Sequence, residues 1–255
     1  MLANRRTFIK TSALAALAWA APGKVLAVGA ASQVQILQIA YSGGNWRPRA
    51  SALRRLLWEV HKRTAVNAAL EPQEVKPTTW ALSKSPLAYL SGDRPFPDWS
   101  DRSVHALSRF LHLGGMLIID PAHTPDGNAE GFEASAKKLM EAALPNVAPK
   151  PVPKTHVLYR SFYQIDRPTG RIAGPDHLTG YGVDDRLQVV LTHHDLGGAF
   201  ARDNLGNWEY AVEPGGERQR EKAFRLGVNL VLYALCLDYK NEEPHRRFGR
   251  EIKES

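Results

Sequence analysis

The sequence predicts an α/β fold, with one open, mostly parallel sheet that carries helices on both faces. Short apolar runs of strand length alternate with amphipathic segments along the chain, and this alternation is typical of parallel sheets. The clearest unit lies in residues 98–123, where a helical stripe ends at Gly114 and Gly115 and an apolar run follows at residues 116–119. The arrangement is close to that of flavodoxin.

The elements follow from hydrophobic periodicity. The predicted strands are residues 34–41, 69–76, 87–90, 116–119 and 187–192. The predicted helices are a segment with leucines at 53, 56 and 57, the segment after Asp98, residues 129–143 and residues 217–237. Asp98 is expected to cap its helix, since a carboxylate suits the free N–H groups of a first turn. Residues 145–153 contain four prolines and predict an extended connection.

The first 27 residues have the pattern of a secretory signal. Arg5 and Arg6 precede a moderately apolar segment at residues 12–21, and small residues before a cut after Ala27 suit a signal peptidase. The paired arginines resemble the twin-arginine export motif, while a Sec signal with two arginines and an uncleaved anchor are the alternatives. The apolar segment is short for a transmembrane helix. We therefore expect a periplasmic protein with no transmembrane span in the mature chain.

Part of the positive charge of the chain lies in the predicted signal. Residues 1–27 contain four basic and no acidic side chains, so their removal lowers the formal charge from +7 to +3. This weakens the case for nucleic-acid binding, and we expect none. The rest predicts one domain at residues 33–238 and a charged tail at residues 239–255. Cys236 is the single cysteine, which rules out an internal disulfide, and its apolar surroundings predict a small buried hydrophobe, not a nucleophile.

Four polar clusters follow predicted strands and would share one edge of a parallel sheet. They are residues 42–45, Gly92 with Asp93, Asp120 with His123, and His193 with Asp195. Carboxylate with imidazole is an acid/base pair and a metal-ligand set, so Asp120, His123, His193 and Asp195 are the candidate catalytic residues of a metal-dependent or acid/base hydrolase. Asp126 and His194 are of the same types, but the spacing matches no diagnostic metal motif. An antiparallel last strand would abolish this site.

Structural roles are the alternative for each of these residues. Asp120 would cap the following turn, His123 and His194 would be solvated loop residues, and His193 would donate to a backbone carbonyl. The sequence identifies neither a metal nor a cofactor.

A second set of residues is of the kind that binds ligands. The candidates are Ser42, Gly43, Gly44, Asn45, Asp93 and Arg160. Residues 42–45 could present backbone N–H groups to an anion, but they lack the full Gly-x-Gly-x-x-Gly or Walker pattern, and the turn could need glycine only for its backbone angles. Many large aromatic residues and arginines lie in or near predicted loops and suit a contact surface; Trp58, inside a helix, is expected in the core.

An ordered set of motifs resembles a bacterial family of domains of unknown function, numbered 4159. The matching motifs are YSGGNW at 41–46, YLSG at 89–92, the helix-Gly-Gly-strand at 110–120, LYRSFY at 158–163 and GVNLVLYAL at 227–235. The resemblance implies a relative of the class I glutamine amidotransferase fold without a settled activity. It also implies association, for some members, with membrane-anchored von Willebrand-type proteins.

The amidotransferase comparison excludes glutaminase chemistry. In that fold a cysteine follows the strand equivalent to residues 116–119, whereas residues 120–123 here contain none, so no thioester can form. His193 and Asp195 resemble the late His-x-Glu pair of that fold, with aspartate in place of glutamate. We therefore expect a non-glutaminase binding or assembly domain for a protein or a small-molecule ligand, with the strand-end hydrolase as the alternative.

Overall fold

The fold is taken from a computed structural model that describes residues 33–183 and 186–240, with side chains described up to residue 236. From Val34 onward the described chain belongs to one compact unit. The predicted signal at residues 1–27 and the tail beyond residue 240 lie outside the described residues.

The described residues contain one sheet, and most of its strands are parallel. The strands are β1 (Leu37–Ile39), β2 (Gln73–Val75), β3 (Leu87–Gly92), β4 (Met116–Pro121), β5 (Lys150–Pro151), β6 (Thr179–Val183) and β7 (Arg186–Leu191). Their order across the sheet is β2-β1-β3-β4-β7-β6-β5. All neighbouring pairs from β2 to β7 are parallel, whereas β6 is antiparallel to both β7 and β5. The predicted flavodoxin-like open sheet is confirmed.

The helices are those that the periodicity predicts, with two short additions. They are α1 (Ala52–Arg63), α2 (Thr79–Leu82), α3 (Asp101–His112), α4 (Ala129–Ala143), α5 (Leu196–Phe200) and α6 (Gly216–Lys240), with a 3-10 turn at Val157–Arg160. The predicted cap of α3 is wrong. The hydroxyl of Ser100 accepts from the Ser103 N–H at that position, while Asp98 pairs with Lys138 at 2.6 Å.

Helices cover both faces of the sheet, because successive apolar side chains of a strand point to opposite faces and each face must be buried. Tyr89 and Ile118 point into one core, which α1, α5 and α6 close, while Leu90 and Ile119 point into the other, which α3 and α4 close. Both cores consist of buried, apolar side chains, as expected for parallel strands covered on both faces. None of the described helices is long and apolar enough to cross a membrane.

The direction of β7 decides where the polar clusters lie. Leu117 of β4 pairs with Val189 of β7, and Ile119 pairs with Leu191, in parallel register. The four clusters that follow β1, β3, β4 and β7 therefore meet at one edge of the sheet, as the sequence predicts for parallel strands.

Two predictions about burial are wrong. Cys236 is exposed, because it lies near the end of α6 on the side away from the sheet core. Trp58 is 37% exposed on the outer side of α1, where the charged groups of Arg55 and Lys62 lie 4.2 and 4.7 Å from its ring centroid. Cation-π contacts of this kind favour a surface indole.

Candidate functional site

Asp120, the next-to-last residue of β4, has a fully buried carboxylate that accepts hydrogen bonds from four donors. Its Oδ1 accepts from the backbone N–H of Leu196 at 2.9 Å and from the hydroxyl of Thr192. Its Oδ2 accepts from the phenol of Tyr89 at 2.5 Å and from the N–H of Gly197 at 2.7 Å. Both oxygens are therefore occupied, and two of the donors belong to the first turn of α5.

The ionisation of this group is governed by burial. Loss of water, followed by the nearby charge of Asp195, raises the pKa of Asp120, and hydrogen bonds from Thr192 and Tyr89 oppose the rise. Burial and the Asp120 charge also raise the pKa of Tyr89 well above its ordinary value. The phenol thus keeps its proton and serves as a donor to Asp120.

Asp195 is the second buried carboxylate and lies four residues after β7. It has a left-handed φ of 48°, which Asp tolerates better than most residues, and its Oδ1 accepts from the N–H of Gly198 at 3.1 Å at the start of α5. Arg49 donates to both of its oxygens, at 3.1 and 2.6 Å. Arg171 donates through Nε to Oδ2 at 2.5 Å.

The same two arginines also bind the carbonyl oxygen of His123. Arg49 donates to it at 2.9 Å and Arg171 at 2.7 Å. We call Arg49, Arg171, Asp195 and the His123 carbonyl the buried ion-pair cluster. It joins the loops after β1, β4 and β7 to the segment before β6 that carries Arg171, so it holds the edge of the sheet together.

The four predicted catalytic residues do not form one hydrogen-bonded set. Asp120 and Asp195 lie near each other, and the charge of Asp195 raises the pKa of Asp120. His123 contributes its backbone carbonyl to the buried ion-pair cluster. The imidazole of His193 bonds elsewhere, to the hydroxyl of Thr179 and the carboxylate of Glu133.

His193 lies between a hydroxyl and a carboxylate. Its Nε2 is 2.9 Å from Thr179 Oγ1, and its Nδ1 is 3.2 Å from Glu133 Oε2, which fits an imidazole that donates to Glu133 and accepts from Thr179. The hydrogen bond from His193 is the main cause that lowers the pKa of Glu133 to about 2, with Lys137 assisting and burial opposing. Sequence reasoning missed Thr179 and Glu133, because α4 and β6 give no signal that they approach His193.

His194 is buried, so the expectation of a solvated loop residue is wrong for it. Its Nε2 lies 2.9 Å from the carbonyl oxygen of Pro175, and its Nδ1 accepts from the N–H of His193 at 3.3 Å. Burial lowers the pKa of His194 to about 4. The ring is therefore neutral at physiological pH and acts as a structural bridge.

The predicted ligand-binding turn is packed against its surroundings. Gly43 has a φ of +81°, and a Cβ there would lie 2.5 Å from the ring of Pro97. A Cβ at Gly44 would lie 2.8 Å from the ring of Tyr41. Gly43 thus has a conformational and a packing reason to be there, and Gly44 has a packing reason.

The remaining members of that set are divided between two places. Asn45 donates to Asp93 at 3.1 Å, and Asp93 also accepts from Thr124 and Arg94, while Ser42 is exposed on the same turn. Arg160 is exposed on the 3-10 turn and makes no hydrogen bond to the other five within the described part of the chain. The Asn45–Asp93 bond bridges the loops after β1 and β3.

In the residues that the structure describes, no group of three or more His, Cys, Asp or Glu side chains is arranged to hold a metal ion. The fold and this edge define a flavodoxin-like α/β domain with polar loops at the carboxyl ends of its parallel strands. More specifically, the chain belongs to the domain of unknown function family DUF4159, whose model matches residues 35–235. No curated protein matches the chain.

Proposed function

We propose that this chain is a binding or assembly domain on an amidotransferase-like scaffold, exported to the periplasm, and not a glutaminase. One observation supports this most. Each of the four oxygens of the two buried carboxylates at the sheet edge, Asp120 and Asp195, accepts a hydrogen bond from a donor within the protein. A general acid or base must reach a proton of the substrate. These two groups would have to break bonds within the protein before they could do so.

The cost of breaking those bonds is large. Arg49 and Asp195 are 2% and 0% exposed at their side chains, and separating a buried ion pair of this kind costs about 3–5 kcal/mol. Freeing Asp120 would strip two N–H groups of α5 of their acceptor. The buried ion-pair cluster therefore suits a different task, which is to fix four segments in a rigid, pre-organised surface for a protein or small-molecule ligand.

The partner and the compartment form part of the same proposal. A membrane-anchored von Willebrand-type protein is a partner suggested by the family resemblance, and the modest charge of residues 28–255 gives no support for nucleic acid. Export rests on Arg5 and Arg6. A variant with lysine at both positions keeps the positive charge, so a Sec signal would still work, whereas twin-arginine export would fail and leave precursor in the cytoplasm.

The binding role is tested by looking for turnover and metal in the whole protein. The wild type, purified without chelator, is assayed for metal content and against a panel of p-nitrophenyl esters, phosphates and glycosides, beside Asp120→Asn. The control is Asp126→Asn, which changes an exposed acid at the same edge. We expect no turnover and less than stoichiometric metal. Turnover or bound metal that is lost in folded Asp120→Asn but kept in the control would contradict the proposal.

A hydrolase is the second candidate, and one observation favours it. The order hydroxyl, imidazole, carboxylate in Thr179, His193 and Glu133 is that of a nucleophile, its base and the group that orients the base. His193→Ala tests it against the control His105→Ala, an exposed histidine on α3. Ester hydrolysis by the wild type that only His193→Ala abolishes would establish this candidate, and equal rates in both variants would remove it.

A further inference from the structure

A cavity of about 400 Å³ lies beside His194, between residues 167–175 and the beginning of α6. Three cationic side chains line it, those of Arg167, Arg218 and Lys222, and none of the described residues around it is acidic. We call it the cationic cavity. It lies beyond the carboxyl end of β7, on the side of the sheet where such folds bind ligands.

The three cations of the cationic cavity lack an ion-pair partner among the residues that the structure describes. Across the described ranges, none of them has a carboxylate within ion-pair distance. The two acids beside Arg218 and Lys222 on α6 are used elsewhere: Glu217 pairs with Arg220 at 2.9 Å, and Glu221 pairs with Arg63 at 2.8 Å. Three like charges around one cavity repel each other, and a bound anion relieves that repulsion.

The walls of the cationic cavity are fixed by hydrogen bonds and close packing. The amide of Gln219 donates to the carbonyl oxygens of Gly170 and Glu213, at 2.9 and 2.8 Å, so it ties both sides of the cavity together. A Cβ at Gly170 would lie 2.3 Å from the His194 carbonyl oxygen, and one at Gly174 would lie 2.7 Å from the His194 ring. The cavity is thus shaped before any ligand arrives.

We infer that the cationic cavity binds the phosphate group of a small phosphate ester. A phosphate dianion offers three acceptor oxygens, which suit two guanidinium forks and an ammonium, whereas a carboxylate brings one charge and two oxygens. The volume falls within the range of about 300–1,000 Å³ typical of small-molecule sites. Ile172, Pro168 and Pro175 supply an apolar wall for the organic part. The inference deepens the proposed binding role and rests on it.

The test uses the whole protein with phenyl phosphate as probe and phosphorus NMR as readout, beside calorimetry. The variant Arg218→Ala/Lys222→Ala changes two exposed side chains of the cavity. The matched control, Arg102→Ala/Lys150→Ala, removes the same charge from exposed sites elsewhere. We expect saturable binding to the wild type, a Kd about tenfold or more higher in the cavity variant, and a Kd within about twofold of wild type in the control. Benzoate, with the same ring and a carboxylate, should bind about tenfold more weakly.

The outcomes separate this inference from the proposed function. Equal weakening in both double variants, or benzoate binding as tight as phenyl phosphate, overturns the phosphate site. Absence of saturable binding by an ester that stays intact also overturns it, and leaves the binding domain with another ligand. Release of inorganic phosphate during the titration means that the protein hydrolyses the ester, which contradicts the proposed binding role. The phosphate site is still supported in that case if binding is lost in the cavity variant and kept in the control.

Discussion

The replacement Asp195→Asn removes one charge from the buried ion-pair cluster and keeps the shape of the side chain. Asn tolerates the left-handed φ of 48° at this position, and its amide oxygen can still accept from the N–H of Gly198. The cost therefore falls on Arg49, which is buried and whose Nη1 already has no hydrogen-bond partner among the described residues. An unpaired buried charge of this kind should lower the free energy of unfolding by about 3–5 kcal/mol.

Equilibrium urea unfolding of the whole protein, followed by circular dichroism, measures this loss. Asp126→Asn is the control and should stay within about 0.5 kcal/mol of wild type, because the residue is exposed. The double variant Asp195→Asn/Arg49→Met should be less destabilised than the sum of its single variants, since it removes both charges. If Asp195→Asn is as stable as the control, or more stable than wild type, Asp195 is not a structural anchor and the reasoning fails.

Three further predictions concern stability. The pKa of His194 is about 4 in the folded protein and about 6.5 in the unfolded chain, so the stabilisation from its neutral ring is complete above pH 6.5. That stabilisation falls by about 3 kcal/mol as the pH is lowered toward 4. The free energy of unfolding, measured at several pH values, should therefore depend less on pH in His194→Gln. Gly92→Ala should lower the unfolding free energy by about 1–3 kcal/mol or more in urea titrations, since its Cβ would lie 2.4 Å from the ring of Phe132. Asn229→Ala should lower the free energy of unfolding by about 2–4 kcal/mol in thermal denaturation, because the N–H and C=O of Tyr163 lose the buried amide as their hydrogen-bond partner. A loss below about 0.5 kcal/mol would contradict this role of Asn229.

The class of fold can be predicted from the sequence because strand and helix patterns alternate so regularly. β4 and β7 are apolar runs that must be covered on both faces, and α4 has the predicted bounds. β5 and β6 could not be found in this way. β5 has two residues, and β6 reads Thr-Gly-Tyr-Gly-Val, in which glycines stand where a strand pattern needs side chains.

The position of the candidate site could be predicted, but the state of its residues could not. Parallel strands place Asp120 and Asp195 at one edge, which the sequence indicates. Whether a carboxylate there is free or saturated depends on donors that lie far along the chain: Arg49 is 146 residues from Asp195. The cationic cavity could not be predicted either. Arg218 and Lys222 lie one turn apart on α6, but Arg167 comes from a loop that is distant in the sequence.

The most direct test of the central claim, that the carboxylates at the sheet edge are structural and a ligand binds beside them, is a crystal structure of the protein grown with phenyl phosphate. We predict phosphate density between Arg167, Arg218 and Lys222, with the bonds of Asp120 and Asp195 unchanged. Phosphate density against Asp120 or Asp195, with Arg49 displaced from its carboxylate, would contradict the account.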